Sequence, residues 1–239
     1  MIGISSFAFH DLPLSQALEK IENLADCAEI FSEGRHDLLR KEEMAFSYDL
    51  TYTVHAPSTD INLASVREPI RMASLQLVRQ VADICNDLDS EIMVIHPGYF
   101  PFPSDGPAAV KAFERSVPVL EDISVDSGVN ICVENMPQWD CFLFRYPQLD
   151  IGGNGFTLDI GHANTLGNLP EFLDANISHF HLHDNNGTID EHLPIGEGNI
   201  DMGLLVDLLK KSNAIKVIEN KCEDDVHHSL EALRKLGVD

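Results

Sequence analysis

Short apolar runs recur along the chain, and between most of them apolar residues return every three or four positions. The runs read as strands over residues 2–5, 28–31, 52–55, 92–96, 130–134, 155–159, 178–182 and 215–219. Several are rich in Val, Ile and Phe, the composition of parallel strands covered on both faces. In the intervals, residues 14–24 carry Leu14, Leu18 and Ile21 at helical spacing, and residues 66–87 align Ile70, Leu77, Val81 and Ile84. Further amphipathic stretches cover 108–124, 169–174, 202–211 and 225–236. The intervals after the second and fifth strands are weakly patterned. Strand–helix alternation repeated eight times predicts a parallel sheet with crossover helices, closed into a (β/α)8 TIM barrel. No linker-like segment divides the pattern, so residues 1–239 read as one domain.

In such a barrel the chemistry sits where strands end, and the polar residues fall there. VHAP ends strand three with His55, VIHPG ends strand four with His96, and CVENMP ends strand five with Glu134. LDIGH ends strand six with Asp159 and His162, and VIEN ends strand eight with Glu219. Strand seven runs HFHLHD, and the loop beyond it adds Asp190, Glu191, His192 and Glu197. Strand side chains alternate between faces. Val133, Phe156, Leu158, Phe180, Leu182 and Ile218 therefore point out toward helices. Cys132, Glu134, Thr157, Asp159, His179, His181, His183, Val217 and Glu219 point inward. Acids and imidazoles gathered on one axis are costly to desolvate unless something neutralises them. A divalent metal does so, and His plus carboxylate donors suit Zn, Mn, Fe or Co better than Mg.

Composition narrows the partners. Sixteen basic and 39 acidic residues give a net charge of −23, which opposes long-range attraction to nucleic acid or an anionic membrane. The five scattered cysteines include no CxxC, so a disulfide framework is not expected and a cytoplasmic setting is. The start, MIGISSFAFHDLP, lacks the basic and apolar regions of a secretory signal, and no apolar run approaches a membrane span. Nothing identifies an oligomer contact.

The ordered set VHAP, HPG, ENMP, LDIGH, HLHD, DEH, GEGNID and IEN resembles the xylose-isomerase-like TIM barrels, from GISS to the terminal IEN. Members include sugar and sugar-phosphate isomerases and epimerases, and the endonuclease IV type of abasic-site endonuclease (AP endonuclease family 2). Both branches imply one metal held by Glu134, Asp159, His181 and Glu219. In the isomerase and epimerase branch the two glutamates are acid and base on either side of the substrate. The endonuclease branch implies three zinc ions: His55, His96 and Glu134 hold the first, the four shared residues the second, and His162, Asp190 and His192 the third. All nine positions are present, so one to three ions per chain are expected.

The nine-residue set favours phosphodiester hydrolysis, yet the loops oppose DNA. APSTDINLAS has no basic residue before Arg67 and offers Ser58 and Thr59 where that family carries an aromatic wedge. ANTLGNLPEF lacks Lys and Arg. A small carbohydrate or sugar-phosphate substrate is the preferred reading, with abasic-site DNA as the alternative and a non-catalytic metal-binding barrel as a third. His183 is the candidate substrate contact of strand seven, His179 a structural residue, and Trp139 and Phe142 candidate walls of a sugar pocket. Bland roles are expected elsewhere: a surface place for His10, His36, His227 and His228, a solvated place for Glu33 and Arg145, and helix capping by Asn199 and Asp201 ahead of Met202.

Overall fold

The computed structural model describes residues 1–41 and 47–238. Eight strands close into one barrel: β1 Ile2–Ser5, β2 Cys27–Phe31, β3 Thr51–His55, β4 Ile92–Ile95, β5 Asn130–Glu134, β6 Gly155–Asp159, β7 His179–Leu182 and β8 Ile215–Ile218. Each pairs in parallel with its sequence neighbours, and β8 closes on β1. The (β/α)8 TIM barrel expected from the strand pattern is therefore the fold. Strands β4 and β8 stop one residue earlier than expected, so His96 and Glu219 stand just past their strands.

The helices are α1 Leu14–Glu22, α2 Leu38–Lys41, α3 Glu68–Asp87, α4 Gly106–Ser127, α5 Ile160–Thr165, α6 Val206–Lys211 and α7 Glu223–Leu236. In α4, Ala109, Ala112, Phe113, Ser116, Val117, Leu120 and Ile123 form the buried stripe. Gly128 then stops the helix at φ 74°, a left-handed conformation that glycine adopts without steric cost. Residues 169–174 form only a 3-10 turn, Leu169–Phe172, and 202–211 divides into a 3-10 turn, Met202–Leu204, and α6. The short α5 was not legible, because IGHANT carries no amphipathic repeat. It is nucleated by Asp159, whose side chain accepts from the backbone N–H of His162 at 2.6 Å.

The barrel has two interiors. Outward strand residues such as Val133, Leu158, Phe180 and Leu182 join the helices in the main apolar core. Inside the barrel a small apolar layer of Ile92, Val94 and Cys132 lies toward the strand starts. Above it Glu29, Thr53, Thr157, His179 and His181 are all fully buried. The register makes Glu29 the partner of Thr53, and Asp159 the partner of His181. Among the described residues no helix is long and apolar enough to cross a membrane, and all five cysteines are free.

His36 departs from its expected surface place. It is buried, with Nδ1 against Ser6 Oγ and Nε2 against the Leu12 carbonyl, both at 3.0 Å, because the segment between β1 and α1 supplies partners to both ring nitrogens.

Candidate metal centre

Glu134 is the junction of the site. Its Oε2 lies 3.0 Å from His96 Nε2 and 3.3 Å from His55 Nε2, while its Oε1 lies 2.8 Å from His181 Nδ1. Two donor groups therefore share one carboxylate: His55, His96 and Glu134 on one side, and Glu134, Asp159, His181 and Glu219 on the other. His162, Asp190 and His192 form a third group, joined by His183. All nine expected ligand positions are brought together at one barrel rim, and within each group the donor atoms lie within 4.8 Å of one another.

Four of the imidazoles are oriented in the same way. His55 Nδ1 lies 2.8 Å from the Ala56 carbonyl, His162 Nδ1 2.8 Å from that of Asn135, and His192 Nδ1 2.7 Å from that of Glu219. His181 Nε2 lies 2.7 Å from Glu29 Oε1. A ring N–H donated outward leaves the second nitrogen facing the cluster with its lone pair, the arrangement that metal-ligating histidines adopt. A lone pair facing carboxylates is repelled unless a proton or a cation stands between. The donor chemistry and ring orientations thus fit divalent metal ions.

The electrostatics agree. Burial disfavours charged His181, but the carboxylates of Glu29, Glu219 and Glu134 outweigh it and hold its pKa well above the ordinary value. Burial is likewise outweighed at His162 by Asp159 and Asp190, and at His55 by Glu134. At His96 burial wins and its pKa falls. Burial opposes ionised Glu134, yet His181, His55 and His96 keep it well below the usual carboxylate range. Close opposite charges thus favour the protonated imidazole at His181, His162 and His55 but not at His96, and a cation among the carboxylates would supply the same positive charge.

Sequence reasoning missed Glu29. It is fully buried in β2, accepts from Thr53 Oγ1 at 3.0 Å and faces His179 Nε2 at 3.3 Å. Burial raises its pKa, but His181 and His179 prevail and lower it to about 2. The available signal was an inward-facing acid in the middle of a strand buried on both faces, a position where charge is rare unless paired.

A cavity of about 150 Å³ opens at this rim, with Glu134, Glu219, His55 and His96 in its wall beside Phe7 and Phe31. Two expected contacts are not on that wall. His183 is fully buried, and its ring stacks on His192 at 4.0 Å, so it has no free face for a substrate. Trp139 is exposed and packs edge-on against Phe142 at 4.6 Å, away from the cavity. Glu33 is more engaged than expected: Oε1 accepts from the backbone N–H groups of Ser58 and Thr59, each at 2.7 Å, and fixes the loop after β3. Arg145 pairs with Asp140 at 3.1 Å. Asp201 caps its turn through Gly203 N, whereas Asn199 instead ties the loops of Asn164 and Asn186 together.

A family model described as a xylose isomerase-like TIM barrel matches residues 18–236. The chain belongs to that family. It is 41% identical to an uncharacterised protein of Methanocaldococcus jannaschii, over 98% of both chains. A crystal structure of a D-tagatose 3-epimerase-like protein superposes with a TM-score of 0.88 at 34% identity, covering 98% of this chain and 96% of that one. A probable endonuclease 4 of Mycobacterium leprae is 28% identical over 72% of this chain and 75% of its own length. Xylose isomerase-like barrels similar to this one thus carry names from both the epimerase and the endonuclease branch.

Proposed function

We propose that this xylose isomerase-like barrel is a metal-dependent epimerase or isomerase of a small carbohydrate, with Glu134 and Glu219 as its proton-transfer pair. The observation that carries this reading is that the two carboxylates belong to one four-donor group and line one cavity. A divalent cation held by Glu134, Asp159, His181 and Glu219 would supply Lewis acidity toward the substrate's carbonyl and hydroxyl oxygens. Glu134, kept ionised by its imidazole neighbours, is ready to accept a proton from the carbon beside the carbonyl. Glu219, approaching from the end of β8, delivers a proton drawn from solvent to that carbon or to its neighbour, and Glu134 releases the proton it took to solvent, so that the pair is reset. Phe7 and Phe31, with ring centroids 5.3 Å apart, give the cavity an apolar side that keeps water from the carbanion-like species. No Lys or Arg stands among the described lining residues, which favours an unphosphorylated sugar over a sugar phosphate.

The endonuclease IV type of reaction is the second reading. It is favoured by the nine donors at one rim, with Glu134 shared between two of their three groups, and by the 28% likeness to a probable endonuclease 4. The net charge of −23 and the cation-free cavity wall weigh against a DNA backbone. The deciding experiment incubates manganese-, zinc- and cobalt-loaded protein in D2O with a panel of ketoses and ketose phosphates, alongside an abasic-site duplex. Deuterium entering one carbon of an unphosphorylated ketose, with epimer or isomer formation, is expected. Strand cleavage without exchange into any sugar would overturn the reading.

A further inference from the structure

Helices α3 and α4 pack side by side on the outside of the barrel, and charge is ordered along both. Residues 66–80 and 106–119, which hold their first halves, contain Arg67, Arg71, Arg79, Lys111 and Arg115 against Glu68 and Glu114, a net +3 in a chain of net −23. Residues 81–91 and 120–130, which hold their last parts, contain seven acids and no Lys or Arg, among them Asp83, Asp87, Asp122 and Asp126. That order opposes the helix dipole, which favours acids at the N-terminus and bases at the C-terminus. Helices α6 and α7 obey the dipole: Asp207 opens α6 and Lys210 and Lys211 close it, while Glu223 opens α7 and Arg234 and Lys235 close it. Bonds within the chain use only part of the reversed charge. Arg79 meets Asp126 at 2.8 Å and Arg115 meets Glu68 at 3.4 Å. Among the described residues the exposed Lys111, Asp83, Asp87 and Asp122 form no ion pair. The same face is apolar at its centre. A groove of about 520 Å³ lies between the helices, walled by Pro69, Met72, Ala73, Leu75, Val119 and Ile123. Ile70 and Met72 are each 48% exposed and Val125 82%, the kind of uncovered apolar surface that marks a contact site.

We infer that this face is the two-fold interface of a homodimer, with α3 and α4 packed antiparallel on the same helices of a second copy. A two-fold interface presents one surface to itself, so that surface must be self-complementary. Antiparallel packing makes it so, because the basic half of each helix meets the acidic half of its copy. Lys111 then faces Asp122 of the second copy and Arg67 faces Asp87, and each pair occurs twice. Parallel packing would set acid against acid along the last halves. The size also fits. Helices of 20 and 22 residues are each about 30 Å long, and two abreast are about 20 Å wide. Such a face approaches the roughly 800 Å² that each partner buries in a stable complex. An acidic chain repels its own copies, and a net-positive apolar face is where that repulsion is least. The inference is independent of the proposed reaction and of any metal.

Sedimentation equilibrium of the full chain over a range of concentrations reads the association. The wild type is expected to reach the mass of two chains. Ala73→Glu keeps a good helix former at an exposed position but sets a charge in the groove, so it should be monomeric with an unchanged circular dichroism spectrum. Lys111→Glu and Asp122→Lys should each weaken association by about tenfold or more, because each sets like charges face to face at two places. The variant carrying both exchanges the partners of each pair and should associate as the wild type does. A wild type that is monomeric at every concentration, a dimer unaffected by Ala73→Glu, or a combined variant no better than the single ones would each overturn the inference. A monomeric wild type that floats with vesicles containing phosphatidylserine would overturn it in favour of an anionic membrane surface.

Discussion

The donors around Glu134 and those around Asp190 are positioned by different means. Glu134 and Asp159 lie on strands and Glu219 one residue beyond another, and His181 is placed beside Asp159 by parallel register. Their spacing follows from the barrel, whose neighbouring strands are held about 4.8 Å apart. Asp190 and His192 sit on a loop and depend on local bonds. Asp184 pairs with Leu193 through both backbone groups at 2.8 Å, and Asn220 Nδ2 donates to the carbonyls of His192 and Leu193. The difference suggests a division of labour: reacting groups on the rigid frame, and a loop that must be fastened before it can shape the cavity.

The sharpest test of that division is Glu134→Gln. Losing a proton acceptor that both inner groups share should lower sugar turnover by about 10²–10⁴-fold, with the circular dichroism spectrum unchanged. Turnover equal to wild type would remove Glu134 from the chemistry. Next in size is Glu29→Gln, which weakens the partner that orients His181. Metal affinity of the inner group, measured by chelator competition, should fall by about 10–100-fold. An unchanged affinity would show that the strand frame alone aims the ring.

Proton release probes both regions together. His181 and His162 hold their protons firmly in the metal-free protein because neighbouring carboxylates raise their pKa values. A cation must displace those protons, so binding should release about one proton per ion at either site, and affinity should fall as pH is lowered. Calorimetry in buffers of different ionisation enthalpy reads the number, and zinc uptake with no proton release would contradict the assigned ring states. The smallest effect is expected for Gly161→Ala. Its methyl would crowd His183 at a cost of about 1–3 kcal/mol, read as a lower unfolding temperature with inner-site affinity retained.

Most of the frame was legible because parallel strands buried on both faces read as apolar runs, and because alternation assigns each side chain a face. Glu134, Asp159, His181 and Glu219 could be placed on one axis from parity alone. The misses have physical causes. Glu29 lies mid-strand, whereas chemistry is sought at strand ends, and its role appears only when His179 and His181 are seen across the barrel. His183 was read as a substrate contact because parity gives its direction and says nothing of depth; the gap left at Gly161 lets its ring sink to full burial. Helix α5 has too few residues to carry a periodic pattern, and its start depends on a single cap by Asp159.

The central claim is that acids and imidazoles from separate strands hold a divalent cation at the barrel rim. Anomalous diffraction from crystals grown with manganese or zinc tests it most directly. The account predicts a strong anomalous peak bonded to Glu134, Asp159, His181 and Glu219. Metal-loaded crystals with no peak among those four side chains would contradict it.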